Sequence, residues 1–147
     1  MSDTVFVKLT GRNGVTLPVR ATSGSAGFDL CAAIDEPLTL LPGKLASVPT
    51  GIAVKLPDAS VGLLFGRSGL GVKHGVTLSN SVGVIDSDYT GEIFVGLCNV
   101  SDEPYTVMPL DRIAQLVVMS PVPVSLVPAD TLEETERGSG GFGSTGR

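Results

Sequence analysis

Glycine and proline recur along the whole chain and divide it into short segments. The 147 residues include 19 Gly and 10 Pro, which separate apolar stretches rich in Val, Ile and Leu. Short strands bounded by turn residues are typical of an all-β sandwich or barrel, because β-branched residues favour extended backbone while Gly and Pro favour turns. We therefore predict an all-β fold. One short helix is indicated at 68–74, with Ser68 as its cap.

The predicted strands follow the apolar stretches between the turn signals. They are Val5–Leu9, Ala26–Ala33, Leu38–Leu41, Ala46–Val54, Val61–Gly66, Val76–Leu78, Glu92–Asn99, Tyr105–Val107 and Arg112–Met119. Aromatic residues make up 5% of the chain and Trp is absent, so we expect the core to be aliphatic.

The composition changes after residue 120. Pro121 and Pro123 cannot continue a central strand. An acidic stretch follows from Asp130 to Glu136, and a glycine-rich segment comes after it. These residues lack the apolar content for a core of their own. We predict one β domain over residues 1–120 and an extended C-terminal arm over 121–147 that is mobile in an isolated subunit.

Charge and hydropathy argue against several functional classes. The net charge of −5 disfavours a nucleic-acid-binding surface, since phosphates repel an acidic protein. No apolar run approaches the ~18 residues of a membrane span, and the first residues lack the pattern of a secretory signal. Cys31 and Cys98 have no metal-ligand spacing and are predicted to be reduced, buried thiols. We expect a soluble, cytoplasmic protein with no nucleic-acid or membrane partner.

The glycine-rich arm contains groups suited to a nucleotide. Consecutive glycines let backbone N–H groups converge on an anion, and Ser144 and Thr145 add hydroxyl donors. Arg137 can pair with phosphate, and Phe142 can stack on a flat ring. The arm is not a P-loop, because it has no Gly-Lys-Ser/Thr ending. A flexible tail without function is the alternative.

The stretch from Asn80 to Glu92 is predicted to form a β-hairpin around Asp86-Ser87-Asp88-Tyr89. A hairpin offers backbone donors and acceptors to a planar base. Asp86 and Asp88 would share one face of an extended chain, and a carboxylate can deprotonate a water. Solvated turn carboxylates are the alternative, since Asp is common in turns.

Two further polar positions lie beside predicted strands. Arg67 follows a strand and Ser68 would open a helix, and a helix start is a natural site for phosphate. Gln115 projects from a strand of alternating polar and apolar residues, where an ordinary polar face is the alternative. The single histidine, His74, is interpreted as structural or solvent-exposed. The scattered carboxylates disfavour a metal site built from protein ligands alone and fit Mg²⁺ that arrives with a nucleotide.

Together and in this order, these segments resemble the five motifs of the trimeric dUTPase family. Gly66 and Gly71 depart from it, because many members have Pro and Ala at these positions, but neither change removes a side chain with a chemical role. The five similar segments are Ala26–Ala33, Arg67–Leu70, Gly83–Glu92, Arg112–Leu116 and Arg137–Gly146.

The resemblance implies a jelly-roll-like β-barrel or sandwich subunit in a homotrimer. Each site would take motifs from two subunits, and the arm of a third would close over it. The implied reaction is hydrolysis of dUTP to dUMP and pyrophosphate, which limits uracil incorporation into DNA and supplies dUMP for dTMP synthesis. Mg²⁺ is the implied cofactor, and Asp29 would contact it through water.

The resemblance also implies a role for each site residue. Asp86 would deprotonate the water that attacks the α-phosphorus in line, and Gln115 would hold that water or a phosphate oxygen. Tyr89 would pack under the deoxyribose and exclude ribonucleotides. The other residues implied to bind substrate are Arg67, Ser68 and Gly69 at the phosphates, Asn80, Gly83 and Ile85 at uracil, and Arg137, Gly141, Phe142, Gly143, Ser144 and Thr145 in the arm.

Other functions compete with this prediction. A dCTP deaminase would share the fold and the nucleotide class but release ammonia, and a bifunctional deaminase–hydrolase would release both products. The stretch from Asp86 to Tyr89 and the stacking Phe142 favour the hydrolase. A non-catalytic β-sandwich is the alternative from another class, although it has no need for all of these segments together. An active enzyme that also regulates a protein partner is a further alternative.

Overall fold

A computed structural model describes residues 4–141 of the chain. Ten β-strands and one helix follow one another in the order β1 to β5, α1, then β6 to β10. The elements are β1 Phe6–Leu9, β2 Phe28–Cys31, β3 Leu38–Leu40, β4 Leu45–Lys55, β5 Val61–Gly66, α1 Ser68–His74, β6 Val76–Leu78, β7 Gly83–Asp86, β8 Glu92–Asn99, β9 Tyr105–Val107 and β10 Arg112–Met119.

The strands form two four-stranded antiparallel sheets and a two-stranded one. The strand orders are β1-β4-β8-β6, β2-β10-β5-β7 and β3-β9. Neighbours in each sheet are distant in sequence, as in a jelly roll, where the chain crosses between sheets. This arrangement confirms the predicted all-β, jelly-roll-like fold.

The core lies between the sheets and is aliphatic, as the composition predicts. Alternate residues of β8 point inward, with Ile93, Val95 and Leu97 each about 1% exposed. A strand that is buried on one face shows this period of two. The buried polar residues are few and satisfied: the Thr50 hydroxyl donates to the Ile93 carbonyl at 2.7 Å, and the Asn99 amide donates to the Leu40 carbonyl at 2.9 Å.

The predicted hairpin between residues 80 and 92 is wrong. β7 pairs with β5, while β8 pairs with β4 and β6, so β7 and β8 belong to different sheets. The residues between them form a turn, in which the Tyr89 N–H donates to the Asp86 carbonyl at 3.1 Å. Because the chain turns here, the extended geometry expected to put Asp86 and Asp88 on one face is absent.

The short helix α1 is present, but its cap differs from the prediction. Arg67, with φ −94° and ψ 132°, occupies the N-cap position, and its side chain makes no capping hydrogen bond. Ser68 is the first helical residue instead. The helix ends at Gly75, whose φ of +62° is the left-handed conformation that glycine adopts without steric cost.

Residues 120–141 contain no strand or helix and are largely exposed. Val122, Val124 and Leu126 are 80%, 78% and 96% exposed, so they lie outside the core formed by the described residues. The division at residue 120 stays a prediction. None of the described helices is long and apolar enough to cross a membrane. Cys31 and Cys98 are half-buried free thiols, less buried than predicted.

Candidate active site

Asp29 and Gln115 face each other across neighbouring strands. β2 and β10 pair antiparallel with Asp29 directly opposite Gln115, and Gln115 in turn lies opposite Phe65 of β5. Directly opposed residues project from the same face of a sheet. Two polar side chains predicted from separate segments are therefore brought together on one surface.

Two arginines hold the Asp29 carboxylate. Arg67 Nε lies 3.1 Å from Asp29 Oδ1, and Arg112 Nη1 lies 3.1 Å from Asp29 Oδ2. The Asp29 side chain is 19% exposed, so the two ion pairs are partly shielded from water. Two guanidinium groups beside one carboxylate leave a net positive charge, which suits an anionic ligand.

Arg112 reaches this surface because of an irregularity in β10. Arg112 pairs with Cys31 and Ala114 with Leu30, so β10 takes two steps where β2 takes one. Such a β-bulge shifts the alternation of side chains by one residue. Without it, Arg112 and Gln115, three residues apart, would project from opposite faces. Sequence analysis placed Arg112 in the fourth segment but gave it no role, since no turn residue marks the bulge.

Gln115 is fixed by close packing and a backbone contact. Its Nε2 donates to the Gly66 carbonyl at 3.3 Å, at the end of β5 that leads into Arg67. A Cβ on Gly27 would lie 3.0 Å from Gln115 Oε1, so the glycine leaves room for the amide. Gly27 was noted only as part of the first motif, and the structure gives it this packing role.

Burial raises the pKa of the Cys31 thiol, with the neighbouring Asp29 carboxylate as a second cause. Cys31 lies two residues from Asp29 on β2. A thiol with a raised pKa is a poor nucleophile at neutral pH, because the thiolate is the reactive form. Cysteine chemistry therefore does not compete with the charged residues as the function of this surface.

Asp86 and Tyr89 form a second group, at the end of β7. Both side chains are exposed. The Tyr89 hydroxyl donates to the Glu92 carbonyl at 2.9 Å, so the ring folds back toward the start of β8. A Cβ on Gly91 would lie 2.6 Å from the Tyr89 oxygen, and only glycine leaves space for the ring there.

The two groups lie far apart within one chain. Asp29 is on β2 and Asp86 is on β7, the two edges of the same four-stranded sheet. The two residues are also offset along the strands. Asp29 aligns with Phe65 of β5 through Gln115, while Asp86 pairs with Val61, four residues away on β5. Three strand spacings of ~4.8 Å and four residues of ~3.3 Å give a separation on the order of 20 Å. One phosphate chain cannot contact both groups in the same chain.

The remaining predicted site residues fall near one group or the other. Ser68 and Gly69 are exposed in the first turn of α1, beside Arg67. Asn80 is exposed just before β7, and Gly83 and Ile85 lie on that strand. A Cβ on Gly83 would lie 3.0 Å from Leu64, which holds β7 close to β5. Within the described residues, β7 is an edge strand with one side of its backbone unpaired.

The arm residues are only partly described. Arg137 is exposed, and its Nε donates to the Gly140 carbonyl at 2.9 Å. Gly141 is the last described residue. Phe142, Gly143, Ser144 and Thr145 lie outside the described residues, so their predicted roles stay predictions.

A metal held by protein ligands alone does not fit the described part of the chain, which has no group of three or more His, Cys, Asp or Glu suited to one. Asp29 fits a weaker role. Its two arginine contacts use two of about four acceptor positions on a carboxylate, so it could still accept from a metal-bound water.

Comparison with known proteins assigns these residues to a family. The family model described as dUTPase matches residues 13–146. The chain belongs to the dUTPase family. It is a dUTP diphosphatase, a hydrolase of nucleotide metabolism, and the predicted resemblance to the dUTPase family is confirmed.

Relatives cover nearly all of this dUTPase. It is 53% identical over 131 residues to the deoxyuridine 5'-triphosphate nucleotidohydrolase of Desulfitobacterium hafniense strain DCB-2, with 88% of this chain and 87% of the other covered. It is 45% identical over 150 residues to the enzyme of the same name from Hahella chejuensis, with 99% of each chain covered.

Solved dUTPases share the fold. A variant of the Staphylococcus bacteriophage 80alpha dUTPase, solved with dUpNHpp, superposes with a TM-score of 0.85 at 29% identity and covers 99% of this chain and 100% of its own. The dUTPase of phage phi11, whose structure describes the coordination of a structural Mg(II) ion, has a TM-score of 0.79 at 25% identity and covers 89% of this chain and 99% of its own.

Proposed function

We propose that this dUTPase cleaves dUTP to dUMP and pyrophosphate by in-line attack of a water on the α-phosphorus. The pairing of Arg67 and Arg112 around Asp29, beside Gln115, carries the proposal. Arg67 would bind phosphate oxygens together with Ser68 and Gly69. Fixed positive charge aimed at a phosphate chain stabilises the charge that develops during phosphoryl transfer.

Asp86 is proposed as the general base for the attacking water. Its side chain is exposed at the end of β7, where a carboxylate can accept a proton from water. Gln115 would hold that water or a phosphate oxygen from the opposite side. Because Asp86 and Gln115 are far apart in one chain, this role requires Asp86 from a neighbouring subunit.

A homotrimer with shared sites is therefore part of the proposal. Exposed apolar side chains support assembly, since monomers rarely expose large apolar patches. Phe6 and Val84 are 68% and 61% exposed, and a groove of about 740 Å³ beside β1 and β10 is lined by Phe6, Phe28 and Val118 among others. The arm, whose described apolar side chains Val122, Val124 and Leu126 are exposed, is proposed to close over a neighbour's site.

The edge of β7 is proposed to read the base. Uracil presents an acceptor, a donor and an acceptor along one edge, and an unpaired strand edge offers the complementary backbone groups. Gly83 and Ile85 would contribute backbone contacts and Asn80 its amide. Cytosine would leave buried groups unpaired, which a hydrogen-bonding site rejects strongly.

Tyr89 is proposed to select the sugar. Its ring is 45% exposed and held back over Gly91, so it offers a flat apolar face. A deoxyribose can pack on this face, while a 2′-hydroxyl would clash. This contact would favour dUTP over UTP.

Mg²⁺ is proposed to arrive with the triphosphate as part of the substrate. When bound, it neutralises charge on the phosphates. Asp29 would accept a hydrogen bond from a metal-bound water, and Arg67 would stay in place through its ion pair with Asp29. In a cytoplasmic setting, which is also proposed, the enzyme would limit uracil incorporation into DNA and supply dUMP for dTMP synthesis.

The arm is proposed to complete the site through Arg137, Gly141, Phe142, Gly143, Ser144 and Thr145. Closure of a segment over bound substrate excludes water and orients the reacting groups. Deleting residues 137–147 should leave the melting temperature unchanged within about 2 °C and reduce kcat by on the order of 100-fold. Unchanged kcat would show that the arm is only a tail.

Pyrophosphate release from dUTP, UTP, dTTP and dCTP with Mg²⁺ tests the proposal directly. We expect release from dUTP alone. Release from UTP at a similar rate would contradict the role of Tyr89, and release from dCTP would contradict the reading of the base by β7. Ammonia release from dCTP would indicate a deaminase instead.

A further inference from the structure

An ion pair outside the predicted site involves Glu92, whose backbone carbonyl accepts the Tyr89 hydroxyl. Arg12 Nε donates to Glu92 Oε1 at 2.7 Å, and Arg12 Nη2 donates to Glu92 Oε2 at 3.2 Å. The Gly51 N–H donates to the same Oε1 at 2.9 Å. Both carboxylate oxygens are thus engaged, and the fork of the guanidinium fixes the orientation of the Glu92 side chain.

This pair ties Glu92, the first residue of β8, to the loop that follows β1. Gly51 lies where the β4–β8 register is irregular, between Pro49 and Ala53, and has a φ of +70°. A Cβ on Gly51 would lie 2.8 Å from Val15, so the backbone there is closely packed. The Glu92 carboxylate therefore binds a rigid part of β4.

The Tyr89 hydroxyl also donates a hydrogen bond to the Glu92 backbone carbonyl, at 2.9 Å. Glu92 thus links two sets of contacts. Its carboxylate accepts from Arg12 and Gly51, and its backbone carbonyl accepts from Tyr89. The close approach of Gly91 to the tyrosine ring leaves little freedom between these two contacts. Movement of the start of β8 would move the Tyr89 ring.

We propose that Arg12 and Glu92 are positioning residues that hold the Tyr89 ring in place and so set the preference for deoxyribonucleotides over ribonucleotides. The inference rests on the proposed contact between Tyr89 and the sugar. Arg12 lies just before the residues that the family model matches, so this contact is not part of that match.

Exposure indicates that the pair matters for geometry more than for stability. The side chains of Arg12 and Glu92 are 40% and 17% exposed. Because the Arg12 partner is exposed, water screens the pair, and we expect its contribution to stability to be small. A small shift of the Tyr89 ring, which is proposed to exclude one hydroxyl, can change the selectivity between dUTP and UTP strongly. Misplacement of a positioning group by 1 Å can reduce the reaction rate by on the order of 100-fold.

Kinetics with two nucleotides tests the inference. We would measure kcat/KM for dUTP and for UTP in the wild type, Arg12→Ala, Glu92→Gln and the double variant. We expect the ratio of kcat/KM for dUTP to that for UTP to fall by on the order of tenfold in each single variant. The double variant should show no further fall, because both changes break the same contact. Glu36→Gln, at an exposed carboxylate, is the matched control and should keep the wild-type ratio.

Tyrosine fluorescence gives a second readout that needs no activity. The chain has two Tyr and no Trp, so Tyr105→Phe leaves Tyr89 as the single reporter. In that background, Arg12→Ala should lower the steady-state anisotropy of Tyr89, while Glu36→Gln should not. Arg12 is exposed, so its variant remains informative if Glu92→Gln does not fold.

The outcomes separate this inference from the proposed function. A wild type that does not hydrolyse dUTP overturns the proposed function, and the anisotropy still decides whether Arg12 positions Tyr89. A wild type that hydrolyses dUTP, with an unchanged ratio and unchanged anisotropy in folded Arg12→Ala, overturns the inference. A lower melting temperature with an unchanged ratio would show that the pair is merely structural.

Discussion

At the scale of single residues, the candidate site depends on charged side chains that hold one another. Asp29 accepts from Arg67 and Arg112 and thereby fixes two guanidinium groups at one place. Arg67 also donates to the Arg112 carbonyl at 3.4 Å, which links the two arginines. A preorganised charge needs no rearrangement when the substrate binds. Electrostatic stabilisation by such preorganised groups is usually the largest single contribution to catalysis.

The Asp86 side chain gives the first prediction. Asp86→Asn should bind dUTP with an affinity close to that of the wild type, because the amide keeps the size of the carboxylate. Its kcat should fall by about 10²–10⁴-fold, the typical contribution of a general base. Stopped-flow pyrophosphate release and isothermal titration with dUTP would measure the two effects.

Asp88→Asn is the matched control for this prediction. Asp88 is an exposed carboxylate in the turn after Asp86, and its change should leave kcat within about threefold. A larger loss in Asp88→Asn than in Asp86→Asn would move the general base to Asp88.

The Glu92 carboxylate gives a prediction about pH. The hydrogen bond from Arg12 lowers the pKa of Glu92 below its ordinary value of 4.5, partly opposed by burial. An acid whose pKa is depressed in the folded state stabilises that state above its unfolded pKa, and the contribution is lost as pH falls through the folded pKa. The wild type should therefore exceed Glu92→Gln in stability at pH 6, and the difference should shrink as pH falls below 4.5 and vanish once pH is below the lowered pKa of Glu92.

Urea denaturation of both proteins at several pH values between 6 and 3 would measure this difference. Parallel stability curves over the whole range would show that the Arg12 contact does not depend on the charge of Glu92.

At the scale of secondary structure, the strands follow from local sequence but their pairing does not. Val61–Gly66 and Val76–Leu78 were predicted with the bounds that the structure shows, and a glycine marks one boundary of each, Gly66 at the end of the first and Gly75 before the second. The hairpin after Asn80 was wrong, since β7 pairs with β5 and β8 with β4. Nearest-neighbour pairing is the simplest expectation from sequence, and a jelly roll departs from it by long-range contacts.

Part of the candidate site was also predictable from local sequence patterns. Asp29, Arg67 and Gln115 were indicated from sequence because the motif resemblance implies a role for each, whereas Arg112 opens one of the same segments without an implied role. Arg112 joins them through a bulge that no residue type marks, and Arg12 binds Glu92 across 80 positions of the chain. Contacts between distant segments depend on the sheet register, which local patterns do not specify.

The helix α1 gives a prediction at this scale. Gly71 lies inside α1, and a Cβ there would meet nothing within 4 Å. Gly71→Ala should stabilise the protein by about 0.5–1 kcal/mol, because alanine loses less backbone entropy on folding. Thermal or urea denaturation would measure the change, and activity should be unaffected.

Gly75→Ala is the contrasting variant, one residue beyond the same helix. Its φ of +62° and the 2.7 Å approach of a new Cβ to the Ser101 Cβ both disfavour alanine. We expect a loss of at least about 1–2 kcal/mol, the cost of the left-handed conformation. Equal effects in Gly71→Ala and Gly75→Ala would mean that the helix end is not fixed as described.

At the scale of the whole molecule, the main feature is the distance between the two groups of residues in the proposed site. The sheet places Asp29 and Asp86 on opposite edges, so neither edge carries a complete site. Rotation of identical subunits about a common axis brings one edge of each subunit to the other edge of the next, and closed symmetry does this for every site at once. In the proposed homotrimer, catalysis would therefore depend on assembly.

Mixing two inactive variants tests this arrangement. Arg67→Ala should lose phosphate binding and Asp86→Asn should lose the base, so each homotrimer should be inactive. If a site takes Arg67 from one subunit and Asp86 from the next, random co-assembly of equal amounts should restore about a quarter of the sites. Pyrophosphate release from the co-refolded mixture, compared with each variant refolded alone, measures this recovery.

A double variant carrying both changes in one chain is the control for complementation. Mixed with the wild type in equal amounts, it should leave about a quarter of the sites intact, because both contributing subunits must be wild type. A site contained within one chain would leave about half instead, and the mixture of single variants would then stay inactive. The pair of mixtures thus distinguishes a shared site from a self-contained one, even if co-assembly is only partial.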